Sequence, residues 1–589
     1  MQDLTVNRFS GRHASHVTLG LVMCLPLVMC SDTAQLRVLG DEPQNPRVQE
    51  PFAVVGYASI DRLLEDLDVL SDTVGQPNYA KFVRGFLSGQ NDLRGFDRCR
   101  PLGAMLSFQG DDADDVRPTF FFPTTEINEL IKTVRFGDSL ELKHSDDRSD
   151  LVLKTDRRDL PVQLEHDYAL LRVHSSSDVS ELHSPDPALI LGDVVQSHDL
   201  FALLRREGIP QSVFDRAHRE LEEDTEKDLT RKDDESDQEY EIRCEVSRGV
   251  HGLIESVLNE WRSLSAGVTF ERDSRVLHLA VDVAMEPEGD IQKLLTELTR
   301  AESRFGPMVD QPAPLTVATT FSLPEPARDI IHRLIQSARA PLESEIVDAD
   351  EGIRNAFSQL FDAAEGTVSA GVVDAYGQLV PTSEGHFVLT GGISIVGADD
   401  VANGMQAVLP FVTESESIRD VELNVANLHG VAVHRLYPAK LRRHDRRLYG
   451  EEATIYLAAG DGVFWVALGG EQTLSELEAV IESVAAISSE SDSTSAATVS
   501  DATEADSHPL LNVAVNLSQW KDFAMSQEGQ RSQRLAGLLG DAFPDASDDE
   551  ARFTVNVTPD GLNMQANFGT GYSRMFGLAI ARRLNRGDR

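Results

Sequence analysis

The stretch from Val421 to Val484 constrains the fold most strongly, because it combines two β-hairpins and a helix. Apolar residues alternate on both sides of His429-Gly430 and again around Gly460-Asp461-Gly462, where glycine supplies the positive φ of a tight turn. A helix is expected from Thr473, since Thr473 and Glu476 match a capping box ahead of an apolar stripe. The stripe consists of Leu474, Leu477, Val480, Ile481 and Val484. This stretch predicts an antiparallel sheet with packed helices.

Strands that lead into helices recur along the chain. We expect them at Phe52–Tyr57, Pro118–Pro123, Pro187–Leu191, Pro314–Ala318 and Pro509–Val515. After the third strand, Leu200, Leu203 and Leu204 are assigned to the helix by their spacing. The distances between the copies are too long and too irregular for a solenoid of short repeats.

Hairpins followed by helices alternate with these units. We expect them at 267–283, at 367–396 with Thr367–Asp374 as the first strand, and at 553–568. In the last, apolar and polar residues alternate on both sides of Pro559-Asp560-Gly561. One face of each hairpin is therefore apolar. The predicted fold class is α+β, with duplicated antiparallel sheets and helices packed on one face.

A chain of 589 residues is too long for one ordinary core, so several units are expected. We divide it into an export signal (1–30), a polar tether (31–50) and a first α+β unit (51–312). A second unit (313–487), a linker (488–507) and a C-terminal unit (508–589) follow. The linker is rich in Ser, Thr and acidic residues, and it has too few large apolar residues to form a core. The charged region 215–245 inside the first unit is interpreted as a solvent-exposed helix.

Composition narrows the classes of function. The chain has 54 basic and 97 acidic residues and a formal charge of -43, which disfavours binding to nucleic acid and to anionic lipid surfaces. Hydrophobic residues make up 41% and charged residues 26%, as in globular proteins. Asp348–Gly352 begins like an EF-hand loop, but its glycine comes one position early and a third ligand is missing. We therefore expect no metal and no cofactor.

The amino terminus resembles an export signal. Arg8 and Arg12 precede an apolar run from Val17 to Met29, which is too short to cross a bilayer. The run ends in Leu27-Val28-Met29-Cys30, which partly matches a lipobox, so lipidation of Cys30 and plain cleavage remain as alternatives. The expected location is exported: periplasmic, anchored to the envelope or extracellular. Membrane contact is expected only through such a lipid.

Two cysteines remain after the leader, Cys99 and Cys244. They are compatible with one disulfide in an oxidising compartment, and two unpaired thiols are the alternative. They do not form a zinc site by themselves, because neither lies in a CxxC pattern or near a histidine pair.

A basic island stands out in this acidic chain. Its candidate anion- or partner-binding residues are Arg435, Lys440, Arg442, Arg443, Arg446 and Arg447, together with His434 and His444. Tyr437 and Tyr449 flank the island and are suited to stacking on a sugar or a peptide. The alternative is a solvated loop between two hairpins.

Sequence motifs that indicate catalysis are either absent or have the wrong spacing. The chain has no GxSxG, P-loop, Rossmann or HExxH motif. Ser369 lies between glycines at the wrong spacing, inside a segment that we expect to be a strand. Carboxylates are so abundant that pairing them from sequence is uninformative, and we nominate no catalytic residue.

The overall layout resembles large uncharacterised exported bacterial envelope proteins, which combine an export signal with repeated strand-helix and hairpin-helix units. The resemblance is one of architecture over residues 50 to 585, so it implies no site residues. The leading hypothesis is a non-enzymatic binding or scaffold protein of the cell envelope, with an unknown protein or an apolar ligand as its partner. The alternatives are an exported hydrolase whose site is not visible as a motif and a periplasmic carrier of lipids or lipoproteins.

Overall fold

One antiparallel sheet runs through the described part of the chain, and helices pack on its faces. The computed structural model describes residues 50–73, 91–108, 116–133, 135–136, 140–144, 151–155, 159–172, 185–192, 194–233, 235–412, 417–494, 508–527, 529–544 and 549–587. All of these belong to one compact unit, Val48–Arg589.

The described residues form strands in two sets, before and after residue 312. The first set is β1 (Ala53–Tyr57), β2 (Leu102–Phe108), β3 (Val116–Pro123), β4 (Arg135–Phe136), β5 (Leu140–His144), β6 (Leu151–Thr155), β7 (Asp159–Glu165), β8 (Tyr168–Arg172), β9 (Leu200–Arg205), β10 (Trp261–Glu271) and β11 (Val276–Met285). The second set is β12 (Leu315–Ser322), β13 (Val372–Pro381), β14 (Phe387–Ser394), β15 (Ile418–Leu428), β16 (Val431–Pro438), β17 (Thr454–Gly460), β18 (Val463–Gly469), β19 (Leu511–Asn516), β20 (Glu550–Thr558) and β21 (Gly561–Phe568).

The α-helices of the described residues alternate with these strands. They are α1 (Ile60–Thr73), α2 (Ile127–Thr133), α3 (Pro187–Leu191), α4 (Val194–Ser197), α5 (Gln211–Asp228), α6 (Asp237–Glu260), α7 (Asp290–Leu298), α8 (Glu325–Glu345), α9 (Glu351–Ala370), α10 (Ala398–Val412), α11 (Arg443–Tyr449), α12 (Thr473–Thr494), α13 (Lys521–Ser526), α14 (Gln530–Ala542) and α15 (Thr570–Gly587).

The strand order in space repeats between the two sets. It runs β4-β5-β6-β7-β8-β3-β2-β1-β9-β10-β11 and continues β21-β20-β19-β12-β13-β14-β18-β17-β16-β15. Thus β1, β2, β3 and β8 occupy the places that β12, β13, β14 and β18 occupy in the second set. The α+β class is confirmed. The separate sheets that we expected are instead one continuous sheet.

The two sets meet where β11 pairs with β21, from Leu277 opposite Phe568 to Ala284 opposite Gly561. Gly561 has a φ of 148°, and a Cβ at this position would lie 2.0 Å from the carbonyl oxygen of Val283. Only glycine fits such a close approach of two backbones. This glycine follows the Pro559-Asp560 turn, so one residue serves both the hairpin and the junction between the two sets.

Helices cover both faces at the β15 end of the sheet. Phe464 packs with α10, whereas the next residue, Trp465, packs with α12. Successive side chains of a strand point to opposite faces, so α10 and α12 lie on opposite sides. The expectation of helices on one face is therefore wrong at this end. The continuous apolar run of β18 agrees with its burial on both faces.

The central strands keep one apolar and one polar face. On the polar face, the Asn563 side-chain amide donates to the Asp282 carboxylate at 2.6 Å. The Nδ1 of His278 lies 2.7 Å from the Oδ1 of Asn567. On the opposite face, Leu562 and Val283 pack with helix α7. This arrangement follows the alternation that the sequence of the last hairpin predicts.

Three local expectations are wrong. Pro187–Leu191 is helix α3, because the Asp186 carboxylate caps the Ala188 amide and proline suits the first helical turn. Leu200–Arg205 is strand β9, which pairs with β1 on one side and with β10 on the other. Residues up to Ala370 continue helix α9, which ends at Gly371 in the left-handed conformation.

Helix α12 begins at Thr473 as expected, but without the capping box. The Thr473 hydroxyl donates to the Gly470 carbonyl at 2.7 Å. The charged region 215–245 lies in α5, in α6 and in the connection between them, where Arg243 pairs with Glu235 at 2.6 Å. Of the linker 488–507, residues 488–494 belong to α12 and the remainder lies outside the described residues.

A buried carboxylate ties the start of the second set to the sheet. Asp374 on β13 is 1% exposed and accepts hydrogen bonds from four groups. The donors are the Ser303 hydroxyl (2.8 Å), the Arg304 amide (3.0 Å), the Thr320 hydroxyl (2.8 Å) and the Ser394 hydroxyl (2.9 Å). Buried charges are tolerated when their hydrogen-bonding capacity is filled in this way.

We expect Asp374→Ala to lower the free energy of unfolding by about 3 kcal/mol or more, because several buried donors lose their acceptor. Urea unfolding of the full chain measures this difference. Asp273→Ala, at an exposed turn position, is the matched control and should change stability by less than about 0.5 kcal/mol. Equal effects of the two substitutions would contradict the anchoring role of Asp374.

Candidate functional site

A cleft of about 1140 Å³ opens at the end of the sheet where β16 leads into α11. Its walls come from the turn between β13 and β14, the end of β16, helix α11 and the segment before α12. The site is built by local sequence, since Pro438 ends β16 and the Arg442 amide donates to the Asp445 carboxylate at the start of α11.

Arg435 occupies the centre of this cleft. It lies opposite Glu422 on β15 and opposite Tyr456 on β17, so all three side chains share one face. Its Nη2 is 2.7 Å from the Glu422 carboxylate. Its guanidinium carbon is 5.4 Å from the ring centre of Tyr437 and 5.7 Å from that of Tyr456, within cation–π range. Its Nε is buried and has no hydrogen-bond acceptor among the described residues.

Further cations surround Arg435. Arg419 is exposed and its guanidinium carbon is 5.5 Å from the ring centre of Tyr437. Lys440 is also exposed, and neither Arg419 nor Lys440 forms an ion pair with any described residue. Arg446 is 3.4 Å from the Glu451 carboxylate, a long and exposed pair that contributes little. Of the four basic side chains of the lining, Arg435 and Arg446 are therefore paired with glutamates, whereas Arg419 and Lys440 have no ion pair with a described residue.

Tyrosines supply aromatic surface and a hydrogen-bond donor. Burial raises the pKa of the Tyr449 phenol, and the nearby Asp445 charge adds to this shift. Desolvation likewise raises the pKa of Tyr437, against the effect of Arg435. Both hydroxyls therefore stay protonated at neutral pH; that of Tyr437 interacts with the Glu422 carboxylate, and that of Tyr449 is able to donate to an anionic group.

Exposed carboxylates also line the cleft. They are Glu384, Glu451, Glu452 and Glu471. Cations and carboxylates thus alternate around one opening. This mixture suits a ligand that carries separate anionic groups among neutral or cationic ones.

The structure divides the basic island predicted from the sequence. Arg435, Lys440 and Arg446 line the cleft together with Tyr437 and Tyr449. The other arginines are exposed on or beside α11 outside the lining: Arg442, Arg443 and Arg447. The six predicted residues are therefore neighbours on one surface, but only three of them line the cleft.

Sequence reasoning missed Arg419, Tyr456 and His386 as cleft residues. Pairing the strands of the predicted β15–β16 hairpin would have brought Arg419 beside Tyr437. Tyr456 carried no such signal, because β16 and β17 pair across the inserted helix α11. His386 lies at the start of β14, and its Nδ1 is 3.2 Å from the Arg447 carbonyl.

His434 points away from the cleft, to the face opposite Arg435. It is fully buried, and its Nδ1 accepts from the Asn424 amide at 3.3 Å. Asn424 has a φ of 55° at an irregularity in β15. Burial lowers the pKa of the imidazole, because a charged ring would be poorly solvated there. His434 is thus a structural residue of β16 that bonds to the backbone of β15, and it does not line the cleft.

The remaining candidates lie elsewhere. Cys99 is an exposed free thiol in this structure, and Cys244 is a buried one. Cys30 lies outside the described residues. Ser369 lies on α9 and its hydroxyl is 3.3 Å from the His332 Nε2, but no carboxylate among the described residues bonds to that histidine. Asp350 caps helix α9 by accepting from the Gly352 amide.

No cluster of three or more His, Cys, Asp or Glu side chains is arranged to hold a metal ion within the described ranges. No helix in the described part of the chain combines the length and apolarity needed to cross a membrane.

Comparisons with known proteins give no relative: no family model, no curated protein and no solved structure matches the chain.

We expect the stability of the protein to fall as pH drops below about 6.5, partly through His434. The folded pKa of His434 is lowered, so the unfolded chain binds more protons below the unfolded pKa, and acid favours unfolding. One such proton gives a slope of at most about 1.4 kcal/mol per pH unit. His434→Asn keeps an acceptor for the Asn424 amide but does not titrate.

Urea unfolding of both proteins between pH 5 and pH 8 measures the difference. The curves should converge as pH falls, because only the wild type loses this contribution. Parallel curves across the range would show that His434 does not carry the effect.

Proposed function

We propose that this protein is a non-enzymatic binding protein that holds an anionic ligand in the cleft around Arg435. The candidate ligands are small molecules that carry carboxylate or phosphate groups. Guanidinium groups bind both kinds of group through paired hydrogen bonds, and phenol hydroxyls add neutral donors.

The observation that carries the proposal is the lack of ion pairs at two basic side chains of the cleft. In a chain of formal charge -43, a basic side chain has many carboxylates available for pairing. Arg419 and Lys440 nevertheless face one opening without an ion pair to a described residue, next to the tyrosine-flanked Arg435. Two basic side chains without such a pair at one opening of an acidic protein support the binding of an external anion there.

The cleft also has the form of a binding site. A volume of about 1140 Å³ is ample for a small polar ligand or for part of a larger one. Tyr437 and Tyr449 are half-buried in the lining and offer aromatic surface beside the charged groups, which gives both orientation and apolar contact. Cation–π stacking restrains Arg435 before a ligand arrives and reduces the entropy lost on binding.

We place this binding activity in the cell envelope. The amino-terminal pattern of Arg8, Arg12 and the apolar run to Met29 supports export. An acidic exported protein with unpaired cations in one cleft would bind anions there, while its acidic surface keeps it highly soluble.

We expect Arg419→Ser combined with Lys440→Ser to raise the dissociation constant of a bound anion at least about tenfold, since two charge-assisted contacts are lost. Calorimetric titration with citrate, glucuronate and inorganic phosphate provides the measurement. Both side chains are exposed and form no ion pair with a described residue, so the fold should be unaffected.

The control is Arg531→Ser combined with Arg534→Ser, two exposed arginines on α14. It should leave the dissociation constant unchanged. The proposal fails if none of the three anions binds the wild type, or if both double variants bind as the wild type does.

A further inference from the structure

Three arginines outside the cleft extend its basic surface along α11. Arg442, Arg443 and Arg447 are exposed, and none of their side chains forms an ion pair with a described residue. Arg443 and Arg447 are one helical turn apart, so their like charges repel and destabilise this two-turn helix. The repulsion would be relieved if an anionic partner lay across α11.

The cleft and this helix face are continuous. Arg446 lines the cleft and lies in the same helical turn as Arg447, which faces the outside. His386 on the cleft wall contacts the Arg447 carbonyl, which joins the helix to the turn between β13 and β14. A ligand longer than the cleft would therefore leave it over the outer arginines.

The exposed carboxylates at the cleft indicate which class of long anionic ligand it is suited to bind. Glu384, Glu451, Glu452 and Glu471 would repel a densely charged chain, such as a sulfated polysaccharide, or an anionic membrane surface. A polypeptide with spaced acidic side chains avoids this repulsion. Its neutral residues and backbone amides can lie beside the glutamates, while its carboxylates reach the arginines.

We infer that the ligand is an acidic segment of a partner polypeptide, which lies in the cleft and continues over Arg442, Arg443 and Arg447. This inference rests on the proposed function, because it names the ligand class of the same cleft. The tyrosines then contact the peptide, and the outer arginines bind its flanking acidic side chains.

The test uses a fluorescein-labelled peptide of twelve residues in which glutamate and glycine alternate, with fluorescence anisotropy as the readout. The matched peptide has glutamine in place of glutamate. Heparin and vesicles of phosphatidylglycerol with phosphatidylcholine serve as densely charged competitors. The protein variant is Arg442→Ser, Arg443→Ser and Arg447→Ser combined, and Arg531→Ser with Arg534→Ser is again the control.

We expect the glutamate peptide to bind at least tenfold more tightly than the glutamine peptide. The triple variant should weaken binding of the glutamate peptide at least fivefold and leave citrate binding in the cleft unchanged, whereas the control changes neither. Circular dichroism checks that the triple variant is folded.

Three outcomes would overturn the inference. If the triple variant binds the peptide as the wild type does, the outer arginines play no part, and the proposed function can still stand on citrate binding. If heparin or the vesicles bind through these arginines and the peptide does not, the partner is a dense polyanion. If the wild type binds none of citrate, glucuronate, phosphate and the peptide, the proposed function and the inference fail together.

Discussion

The pairing of β11 with β21 is the interaction on which the rest of the structure depends. These strands end the two sets, and without their pairing each set would expose an open edge of backbone donors and acceptors. Their union makes one sheet from segments almost 300 residues apart in the chain. Gly561 permits this union because a side chain there would clash with the Val283 carbonyl. The helices then have one continuous surface to cover, and Asp374 fixes the start of the second set against it.

The candidate site lies far from that junction along the sheet, at the end formed by β15 to β18. Three neighbouring strands bring Glu422, Arg435 and Tyr456 onto one face, and α11 adds Arg446 and Tyr449 above them. The alternation of side chains along β16 is what separates its residues by role. His434 stabilises the irregular part of β15 on one face, while Arg435 faces the cleft on the other. A rigid sheet with an inserted short helix is a suitable frame for a binding site, since it holds charged groups at fixed distances.

Local patterns in the sequence predicted much of the secondary structure. The hairpins around His429-Gly430 and Pro559-Asp560-Gly561 were right, because turn residues and alternation act over a few residues. The apolar run Pro187–Leu191 was assigned to a strand, since short apolar runs fit both a helix and a strand until their neighbours are known. The basic island identified three of the cleft residues, Arg435, Lys440 and Arg446. Arg419 and Tyr456 were missed because their place depends on pairings between strands.

The sequence by itself determined the α+β class, the hairpin turns and the unusual concentration of arginine between Arg435 and Arg447, because these follow from composition and short-range pattern. Only the tertiary structure decided that there is one sheet instead of several, that helices lie on both faces at one end, and which basic residues share a cleft. The reason is physical. Strand order, register and the face that a helix covers are set by contacts between distant segments, and the same local pattern is compatible with many such arrangements.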